Sequence, residues 1–308
     1  MDQFSNHPLY RKHNIDSVMS SLWEFYKNKF LSLFIISLVM SLVIQYASTM
    51  VNFKELTTVT DPQVMLEKIN DFLVPIIIIS LINLLFSTIL QYYIIYNPLS
   101  TENNIFISAL KSLKYFIPYI IIMLLLAITG SIAIALGLLA LVVGAFLAVL
   151  YIMTLYLFVL PVMMVEETNI FETIGRTFKL AHKNFWVNIG WVAVFLIILI
   201  VISVIMSAII LLPFTGDFVK TIMNPQEGAT LVEDTTKPLF IILSAIVSAL
   251  TLPLIPIFAA ILYFNSRANE EQNQTIMPEN PEDNRVRVED LYAKPYSDDH
   301  PDNPEKKV

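Results

Sequence analysis

The sequence predicts an all-α integral membrane protein with six transmembrane helices. The chain has 308 residues, of which 56% are hydrophobic and only 15% are charged, whereas soluble domains carry about 25% charged residues. The hydrophobic residues are gathered in long runs, and about 20 consecutive apolar residues are enough to cross a bilayer as a helix. These runs therefore mark the membrane-spanning segments.

The lengths of the runs give the number of spans. Tyr115 to Val165 contains 51 residues without a charge, more than twice the length that one span needs. We therefore expect two spans there, with a tight turn near Gly130–Gly137. The predicted spans are 30–50, 73–96, 115–135, 140–163, 187–213 and 238–264. In the last span, Pro253 and Pro256 are expected to kink the helix, because each lacks a backbone donor and clashes with the preceding turn.

Three amphipathic segments precede alternate spans, at 14–29, 105–114 and Asn169–Phe185. In the third, Ile170 and Phe178 share one face of the predicted helix and the basic residues share the opposite face. Asn169 followed by Glu172 is typical of a capped helix start. We predict that these segments lie on the membrane surface with the apolar side in the lipid.

The same segments share a short pattern: a hydroxyl residue, an apolar residue, two variable positions, a hydroxyl residue and a bulky apolar residue. It occurs at Ser17–Leu22, Ser108–Leu113 and Thr173–Phe178. Six positions can match by chance, but the copies fall at the same topological place, which favours an internal repeat. The predicted unit is an interfacial helix followed by a two-span hairpin, used three times.

Lysine and arginine residues predict the orientation. With six spans, one side of the membrane collects ten of them and the other only Lys54, Lys68, Lys220 and Lys237, so both termini are expected in the cytoplasm. We divide the chain into a flexible N-terminus (1–13), a six-span membrane domain (14–264) and a disordered acidic cytoplasmic tail (265–308). The tail holds eleven Asp and Glu against six Lys and Arg and has few large apolar residues to bury.

The motif L-P-V-x-x-V-E-E-x-x-I-x-x-x-I-x-R-T-F-K-L-x-x-x-N-F-W occupies residues 160–186. It resembles the membrane domain found in front of some glycerophosphoryl diester phosphodiesterases, and a wider set of uncharacterised bacterial multispan proteins, over residues 14–264. The resemblance implies a location in the bacterial inner membrane. Those enzymes also carry a catalytic barrel with metal-binding Glu and Asp and a catalytic His. Here 44 residues follow the last predicted span, with His300 as their lone histidine, so we expect a stand-alone membrane domain without enzymatic activity.

Few residues in the sequence suggest chemistry. The predicted spans contain no charge, which argues against a proton carrier of the carboxylate type. Asn83 and Gln91 are expected to hydrogen-bond between helices, with the lining of a transport path as the alternative. Cysteine is absent and the four histidines lack metal-ligand spacing, so we expect no metal and no cofactor. No basic cluster interleaved with aromatics points to nucleic acid.

The sharpest functional signal is the predicted basic surface on the cytoplasmic side. It favours a scaffold or an envelope and lipid-homeostasis factor that engages anionic headgroups, although ordinary positive-inside anchoring would leave the same pattern. The alternative is a transporter or permease subunit whose cytoplasmic helices, or tail, dock a soluble protein partner. The candidate headgroup-binding residues are Arg176, Lys179, Lys183, Lys27, Lys29, Lys111 and Lys114.

Overall fold

The computed structural model describes residues 3–51, 62–100, 103–139, 141–216 and 237–276, and these ranges contain helices and no strand. Two short 3₁₀ turns, Gln3–Asn6 and Leu212–Phe214, accompany the helices. The α-helices are α1 (Ile15–Asn28), α2 (Phe30–Ser48), α3 (Pro62–Tyr96), α4 (Ile105–Leu139), α5 (Leu141–Val165), α6 (Ile170–Lys183), α7 (Phe185–Leu211), α8 (Pro238–Thr251) and α9 (Leu254–Ile276).

Six helical stretches of the described chain are long and apolar enough to cross a membrane: α2, α3 from Phe72, α4, α5, α7 and the α8–α9 pair. Their outer surfaces are apolar, with Leu31 69% exposed, Val142 80% and Ile200 62%. So much exposed apolar surface suits lipid as the solvent. The predicted fold class, an all-α protein with six membrane-spanning helices, is therefore confirmed. The grouping into three units stays a prediction.

The spans pack in chain order around a buried helix. Each span contacts the next, from α2 through α3, α4, α5 and α7 to α8, and α8 returns to pack along α2. Residues 257–264 of α9 are each at most 3% exposed, and the Phe258 ring stacks on that of Phe195 with centroids 4.0 Å apart. Eight consecutive buried residues cover every side of a helix, so this part of α9 lies at the centre of the core.

The last span is interrupted between α8 and α9. α8 ends at Thr251, α9 begins at Leu254, and Pro256 lies in the first turn of α9. Proline has no N–H to donate to the preceding turn, so the regular helix stops here. The Leu252 N–H still donates to the Ser248 carbonyl, and the Ile257 N–H bonds the Pro253 carbonyl. The interruption divides the span into a peripheral α8 and a central α9.

Two boundaries differ from the sequence predictions. The third span does not turn near Gly130–Gly137, because α4 continues to Leu139. The second amphipathic segment is not a separate surface helix but the first part of α4. The first and third segments do end as separate helices, at Lys29 (φ −112°, ψ 15°) and Asn184 (φ −129°, ψ 53°). A Lys-Asn pair stands at each of these ends: Lys27-Asn28 directly precedes Lys29, and Asn184 belongs to Lys183-Asn184. The second segment has no such pair.

The ends of the chain also differ from the predictions. The N-terminal segment, expected to be flexible, packs on the membrane domain, and Phe4 and Leu9 are at most 3% exposed. Apolar side chains at these positions are what allow a short polar segment to dock. At the other end, α9 extends twelve residues beyond the predicted limit of 264. The remainder of the predicted acidic tail, 277–308, lies outside the described residues, as do 52–61 and 217–236.

Candidate functional site

Polar contacts collect at one end of the bundle, which carries Lys29, Lys111, Lys114 and Arg176 and is here named the basic end. The Lys29 ammonium donates to the Asn97 side-chain oxygen at 3.0 Å, joining the start of α2 to the end of α3. The Lys111 ammonium donates to the side-chain oxygen of Asn103 at 3.0 Å. These cations stabilise the contacts between helix ends.

Helix α6 lies at the basic end, and its apolar surface is divided between protein and solvent or lipid. Thr173, Thr177 and Leu180 are at most 3% exposed, whereas Phe171 is 84% exposed and Phe178 43%. Of the predicted apolar face, Ala181 is fully buried and Ile170 and Ile174 pack against the core. Part of that face packs on the bundle, and the two phenylalanines are left outward beside the basic side of the helix.

The hydroxyl residues of the shared pattern form the protein-facing side of their helices. Ser108, Ser112, Thr173 and Thr177 are at most 3% exposed. Burial is tolerated where the hydroxyl donates to its own helix, as Thr173 Oγ1 does to the Asn169 carbonyl at 2.7 Å. Ser108, Ser112 and Thr173 therefore pack closely without an unmet donor, whereas the buried Thr177 hydroxyl has no hydrogen-bond partner.

Asparagine caps start all three amphipathic segments, and only the cap at Asn169 was predicted from the sequence. The Asn14 and Asn169 side chains accept from the backbone N–H groups of Ser17 and Glu172, each in a reciprocal capping box. The Asn104 side chain accepts from the N–H of Ile107 at 2.9 Å. The sequence signal for these caps is an asparagine three or four residues before the first hydroxyl residue of each segment. The caps fix where each segment begins.

An ion pair connects α5, α6 and α9. Arg176 Nε donates to both Glu166 carboxylate oxygens, at 3.0 and 2.9 Å, and the two side chains are only 21% and 19% exposed. The Tyr263 hydroxyl donates to Glu166 Oε1 at 3.0 Å, and Arg267 donates to the Tyr263 hydroxyl. Arg176, a predicted headgroup ligand, is thus held by the protein, and α6 is fixed to the core.

The predicted headgroup-binding residues fall into two groups. The Lys114 ammonium pairs with the Glu167 carboxylate at 3.0 Å. Glu167 lies just after α5 and has a φ of 48°, a backbone conformation that residues other than glycine seldom adopt. Lys114, Lys29, Lys111 and Arg176 all contact groups of the bundle itself. Lys27, Lys179 and Lys183 also have exposed side chains, as Lys111 and Lys114 do.

The N-terminal segment covers the basic end beside α9. The His7 ring lies 4.7 Å from that of Phe264, its Nε2 contacts the Ile94 carbonyl at 3.1 Å, and its Nδ1 accepts from the N–H of Leu9. Burial lowers the pKa of His7 to about 4, against a smaller opposing effect of the Ile94 hydrogen bond. His7 is therefore neutral at pH 7, and its ring packs as part of the core.

A cavity of about 240 Å³ lies among the helices. Its walls come from α2, α3, α4, α5 and the junction of α8 and α9, and none of the described residues that line it is charged. On α3 the cavity runs from Gln91, five residues before the end of the helix, to Asn83, thirteen residues before it. At 1.5 Å per residue these positions are about 8 and 20 Å from the end of α3, so the cavity reaches about the middle of a 30 Å hydrocarbon layer.

The polar groups at this cavity do not form the hydrogen bonds that the sequence suggested. Asn83 donates to the Ile79 carbonyl of its own helix at 3.1 Å, so the expected bond between helices is not made there. Gln91 is 2% exposed, and its Nε2 has no hydrogen-bond partner. The buried Tyr119 hydroxyl lies near Tyr156 without forming a well-aligned bond.

No group of three or more His, Asp or Glu side chains within the described ranges is arranged to hold a metal ion. The fold and these features together define a polytopic helical membrane protein with polar contacts at one end and a neutral internal cavity. A family model for the membrane domain of glycerophosphoryl diester phosphodiesterase matches residues 128–291. The chain belongs to this family, and the matched region is its membrane domain and not its catalytic domain. Searches of curated proteins and of solved structures gave no match.

Proposed function

We propose that the protein is a non-enzymatic lipid-binding scaffold or envelope-homeostasis factor of the bacterial inner membrane, with both termini and α6 on the cytoplasmic side. The observation that carries this proposal is the outer edge of α6. There the exposed Phe171 and Phe178 stand beside the exposed Lys179. Outward aromatic rings beside a cation suit the boundary between acyl chains and anionic headgroups.

The contacts that hold α6 on the bundle support a binding role. The Asn169 capping box fixes its start, the buried hydroxyl side packs on the bundle, and the Glu166–Arg176 pair connects it to α9. A rigid helix presents its lysines without the entropy cost of ordering a loop. Each cation near an anionic leaflet contributes about 1 kcal/mol, which corresponds to roughly a fivefold preference.

Lys179→Glu tests the proposal, with Lys237→Glu as the matched control. Lys237 is also exposed, but it precedes α8, at the predicted opposite side of the membrane. The purified variants are placed in nanodiscs of mixed phosphatidylglycerol and phosphatidylcholine, and native mass spectrometry compares the lipids that they retain. We expect Lys179→Glu to lower the phosphatidylglycerol preference at least fivefold and Lys237→Glu to leave it unchanged.

The same experiment separates lipid binding from positive-inside anchoring. If the lysines serve only to orient the chain, Lys179→Glu will change insertion or topology but not lipid preference in correctly folded protein. An unchanged phosphatidylglycerol ratio in Lys179→Glu would therefore contradict the proposal. Raising the salt concentration should weaken the preference of the wild type, because exposed charges are screened.

A transporter or permease subunit is the second candidate, and the cavity beside the α8–α9 interruption is the observation that favours it. Interrupted helices near the membrane midplane are common at substrate sites of transporters. This function requires access to the cavity from both sides of the membrane. Asn83→Cys should then react with a small polar thiol reagent from either side, and labelling from one side alone would argue against transport.

A further inference from the structure

We propose that the central cavity is a binding site for a neutral acylglycerol, whose ester carbonyl accepts a hydrogen bond from the Gln91 amide. This inference goes beyond headgroup binding at α6 and does not depend on it. It rests on an internal site formed by different residues.

Gln91 Nε2 is the first observation that points to a ligand. An amide buried without an acceptor costs free energy that a protein ordinarily avoids, and Gln91 is 2% exposed with Nε2 unpaired. The residue lines the cavity. A ligand oxygen in the cavity would meet this need, and the Tyr119 hydroxyl, also buried and without a well-aligned partner, supplies a second donor to the same space.

The lining sets the class of ligand. Among the described residues around the cavity none carries a charge, and an ion in such surroundings would not recover its lost hydration. Leu252 also lines the cavity, and its carbonyl is a candidate acceptor because Pro256, four residues later, has no N–H to donate to it. The site therefore combines hydrogen-bond donors, this candidate acceptor and apolar walls. A glycerol ester matches it with a carbonyl acceptor, hydroxyl donors and an alkyl chain, and has no charge.

The size of the cavity limits the ligand. A cavity of about 240 Å³ accommodates a glycerol ester with the first part of one acyl chain. The probe with these properties is glycerol monooctanoate. Its ether analogue, 1-O-octylglycerol, has the same chain and hydroxyls but no carbonyl.

The experiment compares these two probes on the full chain in nanodiscs of ether-linked phosphatidylcholine, which contain no ester carbonyl of their own. Occupancy is measured by native mass spectrometry, and infrared spectroscopy follows the ester carbonyl stretch. We expect the ester to bind wild type about tenfold more tightly than the ether, as one buried hydrogen bond provides. Its carbonyl stretch should shift to lower frequency on binding.

Gln91→Leu is the decisive variant. It removes the unpaired amide, so the empty protein should be at least as heat-stable as wild type while it loses the tenfold preference for the ester. Ser37→Ala is the matched control, because Ser37 is also buried and unpaired but does not line this cavity; it should bind the ester as wild type does. If Gln91→Leu folds poorly, Ala259→Leu, which adds bulk at the cavity wall, should lower ester occupancy instead.

Three results would overturn the proposal: no binding of the ester to wild type, equal binding of ester and ether, or an unchanged ester preference in Gln91→Leu. None of these would bear on the phosphatidylglycerol preference that tests α6. Conversely, loss of the α6 effect with retained ester binding would overturn headgroup binding alone.

Discussion

Acidification should release the N-terminal segment, because His7 is buried in its neutral form. A pKa lowered from 6.5 to about 4 means that the docked segment binds a proton less well than the released segment does. The contribution of His7 to the free energy of docking is therefore fully present above pH 6.5. It falls as the pH drops from 6.5 to 4 and does not fall further below pH 4. The full effect is about 3 kcal/mol, and about 2 kcal/mol is expected at pH 5.

Hydrogen–deuterium exchange of residues 3–13 measures this release. After correction for the intrinsic exchange rate, wild-type protection should be about thirtyfold lower at pH 5 than at pH 7.5, as 2 kcal/mol requires. His7→Gln removes the titrating ring, so its protection should no longer depend on pH in this range. His13→Gln is the control, because His13 is only partly buried and its variant should keep most of the effect.

Equal protection of wild type at both pH values would contradict a role for His7 in the release. The same loss of protection in His7→Gln as in wild type would contradict it too, since another group would then be responsible. Burial lowers the pKa of His13 as well, so a loss confined to His7-containing proteins would identify His7 as the cause.

Three further predictions concern how α6 is held, each measured by thermal unfolding in a mild detergent. Glu166→Gln removes the partly buried pair with Arg176 and should cost about 1–3 kcal/mol, between the values of exposed and buried pairs; no loss would show that the pair does not stabilise α6. Thr177→Val removes a buried unpaired hydroxyl and should stabilise the protein by up to about 1 kcal/mol. Thr173→Val removes a hydroxyl that is hydrogen-bonded and should destabilise the protein by about 1 kcal/mol. Equal effects of the two variants would contradict this. Asn169→Ala should cost about 1 kcal/mol through the lost cap, and full stability would argue against the capping box.

The spans could be predicted from sequence because a bilayer demands long apolar runs. The end of α4 at Leu139 could not be predicted, since the stretch from Tyr115 to Val165 carries no charge and hydropathy alone does not place a turn within it. The N-terminal docking was missed because Phe4 and Leu9 are isolated apolar residues in a polar segment. Only tertiary packing gives them a partner.

The candidate sites were harder to predict than the fold. Sequence charge identified Arg176 and Lys114 but could not show that Glu166 and Glu167 hold them. Pairing depends on which helix ends meet, and this is a tertiary property. The lining of a path by Asn83 and Gln91 was predicted only as the alternative to hydrogen bonds between helices. Only the packed structure shows a cavity at these residues and the Gln91 amide without an acceptor.

Cysteine accessibility most directly tests the central claim, a membrane protein with its N-terminus and α6 on the cytoplasmic side. The sequence contains no cysteine, so single-cysteine variants have no background. Lys12→Cys and Lys179→Cys should react with a membrane-impermeant maleimide only after cells are permeabilised. Met50→Cys, an exposed position after the first span, should react in intact cells. Labelling of Lys179→Cys in intact cells, or of Lys179→Cys and Met50→Cys from the same side, would contradict the account.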